Sequence, residues 1–205
     1  MTAIWGPMGW MTLHSISTLY PNVPSATDKQ ILQKYLQNFE ETITCDKCKN
    51  HFKSMFKSYI TVHPNWSSSK FNLFTMIARL HNQVNSRLDK PTYKTILDCI
   101  SAYENATKVV EPQTFRSNYI TYLIRQWISQ QSGTGNIMAG YSKTLQKINI
   151  EYWNKLTPES IINSPDFDMS VNVVEQITPN TVGKPIVISN NQVGIKMVGG
   201  RFKLF

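Results

Sequence analysis

The chain has only three cysteines in 205 residues, Cys45, Cys48 and Cys99. That excludes a fold stapled by two internal disulfides, because a second pair cannot be assembled from one leftover thiol. Apolar runs are all too short to cross a bilayer, so no membrane partner is expected. The opening residues, Met1 to Pro7, lack the basic start and apolar centre of a secretion signal, and the expectation that follows is a cytosolic protein. There is no dense run of lysine or arginine. The net charge of +8 is spread along the chain and reads as a basic, solvated surface, so no nucleic-acid partner is expected. Repeats and low-complexity stretches are also absent. A hydrophobic content of 41% excludes wholesale disorder.

What is present divides at about Val109-Val110-Glu111-Pro112. Before that point five helices are expected, joined by short connections as in a helical bundle. The first runs from Trp5 to Tyr20, with Pro7 in its first turn. A second begins at a capping box, Thr27-Asp28-Lys29-Gln30, and carries Ile31, Leu32, Tyr35, Leu36 and Phe39 on one face. A third starts at Thr44-Cys45, a fourth after Ser67-Ser68-Ser69, and a short fifth spans Tyr93 to Glu104. Beyond Pro112, helices are expected at Phe115–Gln131 and Ile137–Leu156, and Thr157-Pro158-Glu159-Ser160 reads as a further helix start. Three short β-prone runs follow, Ile186–Ile188, Val193–Val198 and Phe202–Phe205, separated by Asn190-Asn191 and Gly199-Gly200. They suggest a small antiparallel meander. The expected architecture is therefore mainly α, with a helical domain over 1–110 and a smaller α+β domain with a β meander over 111–205.

Cys45-Asp46-Lys47-Cys48 is the stretch with the clearest chemistry. Two thiols three positions apart at a helix N-terminus can open and close a disulfide with little backbone movement. The helix end, with Lys47 and Lys49 nearby, favours the reactive thiolate. Spacing alone leaves a redox pair, a metal pair and two unrelated thiols open. His51 and His63 follow, but no second C-x-x-C or H-x-x-x-H completes a closed zinc site, and no metal ligands are assigned. Trp10 and His14 on the first helix, and His81, Asn82 and Asn85 on the fourth, fit either ordinary core packing or a polar aromatic pocket. With Leu88 and Lys90, such a pocket would suit an aromatic cofactor bearing phosphates.

Together these motifs resemble the Erv/ALR family of FAD-linked sulfhydryl oxidases, with small members from large DNA viruses closest in style. Trp5-Gly6-Pro7-Met8-Gly9-Trp10-Met11-Thr12-Leu13-His14 is similar to the family's opening Gly…Trp-x-x-Leu-His helix, and Tyr20-Pro21 to its end. Cys45–Cys48 stands where the redox C-x-x-C belongs. Leu80 to Pro91 resembles the signature H-N-x-V-N-x-x-L-x-K-P. The likeness covers about residues 4 to 104. It implies a helical bundle holding FAD, usually as a homodimer. Dithiol-bearing protein substrates would exchange with Cys45. Cys48 would be the flavin-proximal thiolate, and electrons would pass to oxygen to give hydrogen peroxide. By position, Gly6, Trp10, His14, His81, Asn82, Val84, Asn85, Leu88 and Lys90 would line the FAD site, with Tyr20, Phe52 and Tyr103 as weaker carry-overs. An alternative is an interaction module that binds FAD or zinc without oxidase turnover. The chain departs from the family pattern in two ways. Ala78 stands where many members have a structural cysteine, leaving Cys99 unpaired, and residues 106–205 contain no shuttle dithiol.

Overall fold

The computed structural model describes residues 2–174 and the two short segments 195–198 and 201–204. It is mainly α-helical, with seven helices: α1 (Thr2–Leu19), α2 (Ala26–Thr42), α3 (Asp46–Val62), α4 (Lys70–Arg87), α5 (Ile96–Thr107), α6 (Pro112–Ile128) and α7 (Gly133–Glu151).

Helix starts are set by side-chain caps. Ser25 accepts from the Asp28 N–H while the Asp28 carboxylate accepts from the Ser25 N–H, a capping box two residues earlier than the expected one. Thr95 and Asp98 form the same box at α5, and Ser69 and Ser132 cap α4 and α7. Ser132 and Gly133, which fall between two expected helices, are thus the start of α7. At α3 the cap is Cys45 itself, whose Sγ accepts the Cys48 N–H at 3.3 Å. Helix α1 starts at Thr2, so Pro7 lies inside it rather than in its first turn.

Every residue from Pro7 to Tyr20 is buried, so α1 is the axis of the molecule. A helix covered on all sides needs partners on all sides. Helix α4 packs on one side of α1 and α6 on another, while α7 packs along α2 and α6. A single apolar cluster joins Trp10, Leu13 and Ile16 of α1 and Leu32, Tyr35 and Phe39 of α2 to Tyr119, Ile120, Leu123 and Trp127 of α6 and Leu145 of α7. Trp153, in a 3₁₀ turn after α7, is fully buried edge-on to Tyr35, with ring centroids 5.9 Å apart.

The chain beyond α7 returns over α1, α4 and α5. The expected helix start at Thr157–Ser160 is instead irregular backbone, followed by a single 3₁₀ turn at Ile161–Asn163. The Glu159 N–H donates to the Thr18 carbonyl, and the Glu159 carboxylate holds the buried Lys70 ammonium at 2.6 Å. Ile161 and Val173 then pack into a second cluster with Phe71, Phe74, Ala78, Ile96, Cys99 and Ile100. Ala78 and Cys99 therefore belong to the same buried apolar cluster. Burial pushes the Cys99 thiol far above its ordinary pKa and keeps it un-ionised.

The expected β meander is not supported. Residues 111–174 hold no strand, only an isolated bridge between Thr95 and Asn172. The Ile186–Ile188 run lies outside the described residues. A single antiparallel pairing, Ile195–Val198 with Arg201–Leu204, is described beyond them. No described helix is long and apolar enough to cross a membrane.

Candidate active site: a dithiol in the wall of an aromatic cleft

Helices α1, α3 and α4 meet in a cleft with about 560 Å³ of non-atom space, its open mouth included. The floor is aromatic. The Trp10 and His81 rings are stacked, with centroids 4.6 Å apart and planes 10° from parallel, and Phe52 lies 6.0 Å from Trp10. Trp5, Gly6 and Pro7 form the α1 side. Cys48 and His51, one helical turn apart, form the α3 side. Val84, Asn85, Arg87, Leu88 and Lys90 complete the rim.

The spacing on α4 explains which residues arrive there. His81, Val84, Asn85 and Leu88 follow the i, i+3, i+4, i+7 rule and share one face. Asn82 is about 100° around the helix and looks elsewhere. Its amide donates to the Tyr93 carbonyl at 2.7 Å and the Val173 carbonyl at 3.0 Å, and accepts the Tyr93 N–H at 2.9 Å. It ties the α4–α5 connection and the returning tail to α4, and it does not line the cleft. Lys90 reaches the rim because α4 ends in a Schellman-type turn. Asp89 adopts φ 51°, the Lys90 N–H donates to the Asn85 carbonyl at 2.9 Å, and the Asp89 N–H donates to the Ser86 carbonyl.

His14 sits one layer below the floor. Its Nε2 is 3.3 Å from Nδ1 of His81, and its own Nδ1 has no hydrogen-bond partner. Burial holds both imidazoles neutral, lowering His14 to about 3 and His81 well below its ordinary value. Tyr103 packs beside His14 with centroids 6.0 Å apart, behind the cleft. Tyr20 is farther off and buried, donating its hydroxyl to the Ser67 carbonyl at 3.0 Å. The structure thus brings Gly6, Trp10, Phe52, His81, Val84, Asn85, Leu88 and Lys90 together with Cys48. It places His14 and Tyr103 behind them and leaves Tyr20 and Asn82 outside. Sequence reasoning missed Trp5, Pro7, His51 and Arg87. His51 was findable as the residue one turn after Cys48 on the same helix.

Cys45 and Cys48 are disulfide-bonded, with Cα atoms 5.2 Å apart, and both are half-buried. Cys48 belongs to the cleft wall and packs against the main core, while Cys45 does neither. The pair therefore has one sulfur facing the cleft and one at the outer end of the helix.

The Erv1 / Alr family model matches residues 7–108. The FAD-linked sulfhydryl oxidase of African swine fever virus (isolate Tick/Malawi/Lil 20-1/1983) is 32% identical over 87 residues, which span 42% of this chain and 69% of that protein. The chain belongs to the Erv1/Alr family. A putative FAD-linked sulfhydryl oxidase, 096R of Invertebrate iridescent virus 3, is 30% identical over 89 residues, spanning 43% of this chain and 58% of that protein. The FAD-linked sulfhydryl oxidase erv2 of Schizosaccharomyces pombe is 28% identical over 109 residues, spanning 53% of this chain and 52% of its own length. No solved structure matches. The Erv1/Alr match ends inside the segment that follows α5, so α6, α7 and the returning tail lie outside it.

The residues present fit a flavin. The floor offers flat aromatic faces. Gly6 lines the cleft, and a Cβ added there meets no atom within 4 Å. Trp5, another lining residue, has a buried Nε1 without an acceptor. Arg87 and Lys90 give the rim its cationic side.

Proposed function

We propose that this chain is a FAD-dependent thiol oxidase that forms disulfides in protein substrates. The observation that carries the reading is Cys48 standing in the wall of the aromatic cleft while bonded to Cys45 at the outer end of α3. FAD, when bound, supplies the two-electron chemistry that connects the dithiol to oxygen, with hydrogen peroxide as product.

The thiol steps follow from the chain itself. A substrate thiolate attacks Sγ of Cys45, the Cys45–Cys48 bond breaks, and Cys48 leaves as a thiolate facing the cleft. The second substrate thiol then attacks the mixed disulfide. That step releases an oxidised substrate and leaves Cys45 reduced. Cys45 caps α3, so its sulfur lies at the positive end of the helix, where a thiolate is stabilised. Trp10, Phe52 and His81 hold the ring system, with Gly6 leaving it room. His14, behind His81, buttresses that ring, which burial keeps neutral, and Tyr103 supports His14. Val84, Asn85 and Leu88 close the α4 side, and Lys90 meets phosphate. Asn82 and Tyr20 act at a distance by fixing the elements around the cleft. The oxidase chemistry belongs to residues 1–110, and residues 111–174 brace that body. Partners are dithiol-bearing proteins, oxygen and a second copy of the chain. A sedimentation profile of a monomer at all accessible concentrations would remove the last.

The experiment is purification followed by an absorbance spectrum and oxygen uptake with dithiothreitol. The wild type is expected to be yellow and to consume oxygen. Cys48→Ser is expected to stay yellow and lose turnover. A folded, colourless protein that takes up no FAD overturns the reading.

A further inference from the structure

Trp127 lies on α6, outside the segment matched by the family, yet it touches both sides of the redox loop. Its Nε1–H donates to the Thr42 carbonyl at 3.0 Å, in a buried contact. Thr42 ends α2, and its carbonyl is one of those a helix end leaves without an internal partner. Only Ile43 and Thr44 separate it from Cys45, and Ile43 is fully buried. On the other side, the Lys49 ammonium sits 5.8 Å over the Trp127 ring. Lys49 directly follows Cys48, and its N–H donates to the Cys45 carbonyl at 2.8 Å. The indole is itself held in place: it is 5% exposed, and the Trp127 carbonyl abuts Gly135 of α7 so closely that a Cβ there would lie 2.7 Å away.

We propose that Trp127 is a positioning residue for the Cys45–Cys48 pair. It holds the end of α2 that delivers Cys45, and it holds the Lys49 ammonium beside the first turn of α3. The extension beyond the family-matched segment thereby sets the reactivity of the dithiol. Two separable effects follow. A fixed approach to Cys45 keeps the two sulfurs at closing distance, which favours the disulfide. A fixed ammonium near the helix start favours the thiolate.

The proposal rests on Cys45–Cys48 being the redox pair. Its test reads the thiols directly, without flavin turnover, so it can fail while the oxidase reading stands. The full chain is reduced, and alkylation of Cys45 by iodoacetamide is followed against pH by mass spectrometry, alongside the dithiol–disulfide balance in glutathione buffers. Lys49→Gln, a half-buried position that leaves the core intact, is expected to slow alkylation about two- to fivefold below the thiol's midpoint, the effect of one unit charge at short range in a solvated setting. Trp127→Leu is expected to do the same, and the double variant to be no slower than the worse single one, because the ring acts through the lysine. Trp127→Phe keeps a ring for Lys49 but loses the N–H. It is expected to restore the alkylation profile while shifting the glutathione balance several-fold towards the dithiol. Wild-type alkylation in Lys49→Gln overturns the proposal even if the Trp127 variants do not fold. So does a Trp127→Phe protein with a lower melting temperature but an unchanged glutathione balance.

Discussion

At the residue scale, the two histidines beneath and within the cleft floor make stability depend on pH in a definite direction. Both are held neutral by burial, with His14 lowered to about 3 from an ordinary value of 6.5 and His81 also well below it. The unfolded chain therefore binds more protons than the folded one throughout the interval between those values, and stability falls as pH falls. Above pH 6.5 their contribution is fully present; below it His14 loses about 1.4 kcal/mol per pH unit towards pH 3, and His81 adds to the loss in the same direction. Denaturant midpoints measured across that range check this, and a flat profile between neutral and mildly acidic pH contradicts it. Asn82 makes a different prediction. Its three side-chain hydrogen bonds hold two chain segments to α4, and Asn82→Ala leaves the Tyr93 N–H and two carbonyls without their partner. The expected loss is about 2–4 kcal/mol in chemical denaturation. A variant that binds flavin weakly at wild-type stability would instead make Asn82 a direct ligand. The likeness to the H-N-x-V-N-x-x-L-x-K-P signature made Asn82 an expected site residue. Adjacent helical residues diverge by about 100°, and only His81 turns to the floor. Trp10, His81 and Cys48 were legible because each belongs to a spaced motif, whereas Arg87 and Trp5 carry no such signature.

At the element scale, all seven helices were readable from apolar spacing and caps, and the connections were less so. Ser25 caps α2 rather than Thr27, because its hydroxyl and the Asp28 carboxylate can satisfy each other's backbone N–H. Thr157-Pro158-Glu159 has the chemistry of a helix start, but tertiary contacts prevail: the Glu159 N–H goes to α1 and its carboxylate to Lys70. Close approach between elements was invisible in the sequence. At the α6–α7 junction, Gly135 allows α7 to begin against the α6 backbone. Gly135→Ala gains about 1 kcal/mol of helix propensity but forces a backbone shift costing about 1–3 kcal/mol. The expected net result is a loss of up to about 2 kcal/mol in denaturant unfolding, and a stabilised variant would show that the junction yields freely.

At the scale of the whole molecule, α1 is the point on which everything depends. It carries one wall of the cleft on one side and packs against α6 on another. Arg116 of α6 shows how tightly the two halves are joined. It is buried, and its guanidinium donates to Ser15 of α1, to Asn149 of α7 and to Asn154 beyond it. The composition break near Val110 was legible in the sequence, but the shared core was not. The apolar faces of α6 read equally well as the inside of a separate domain. Removing residues 111–205 would strip Tyr119, Ile120, Leu123, Trp127 and Trp153 from α1 and α2. A chain ending at residue 110 is expected to be insoluble or to lose its cooperative melting transition. A stable, flavin-binding fragment would show that the first five helices fold as an independent unit.

In the proposed mechanism, electrons from a substrate dithiol enter through Cys45, pass Cys48 and reach a flavin held over Trp10 and His81. Its most direct test is an anaerobic titration of the purified, flavin-loaded chain with dithiothreitol, followed at the visible absorbance band of the flavin. Wild-type protein is predicted to bleach and to recover its colour with release of hydrogen peroxide when air is admitted, while Cys48→Ser keeps its colour throughout. Bleaching of Cys48→Ser at the wild-type rate, or a wild-type chain that holds flavin but is never reduced, would contradict the account.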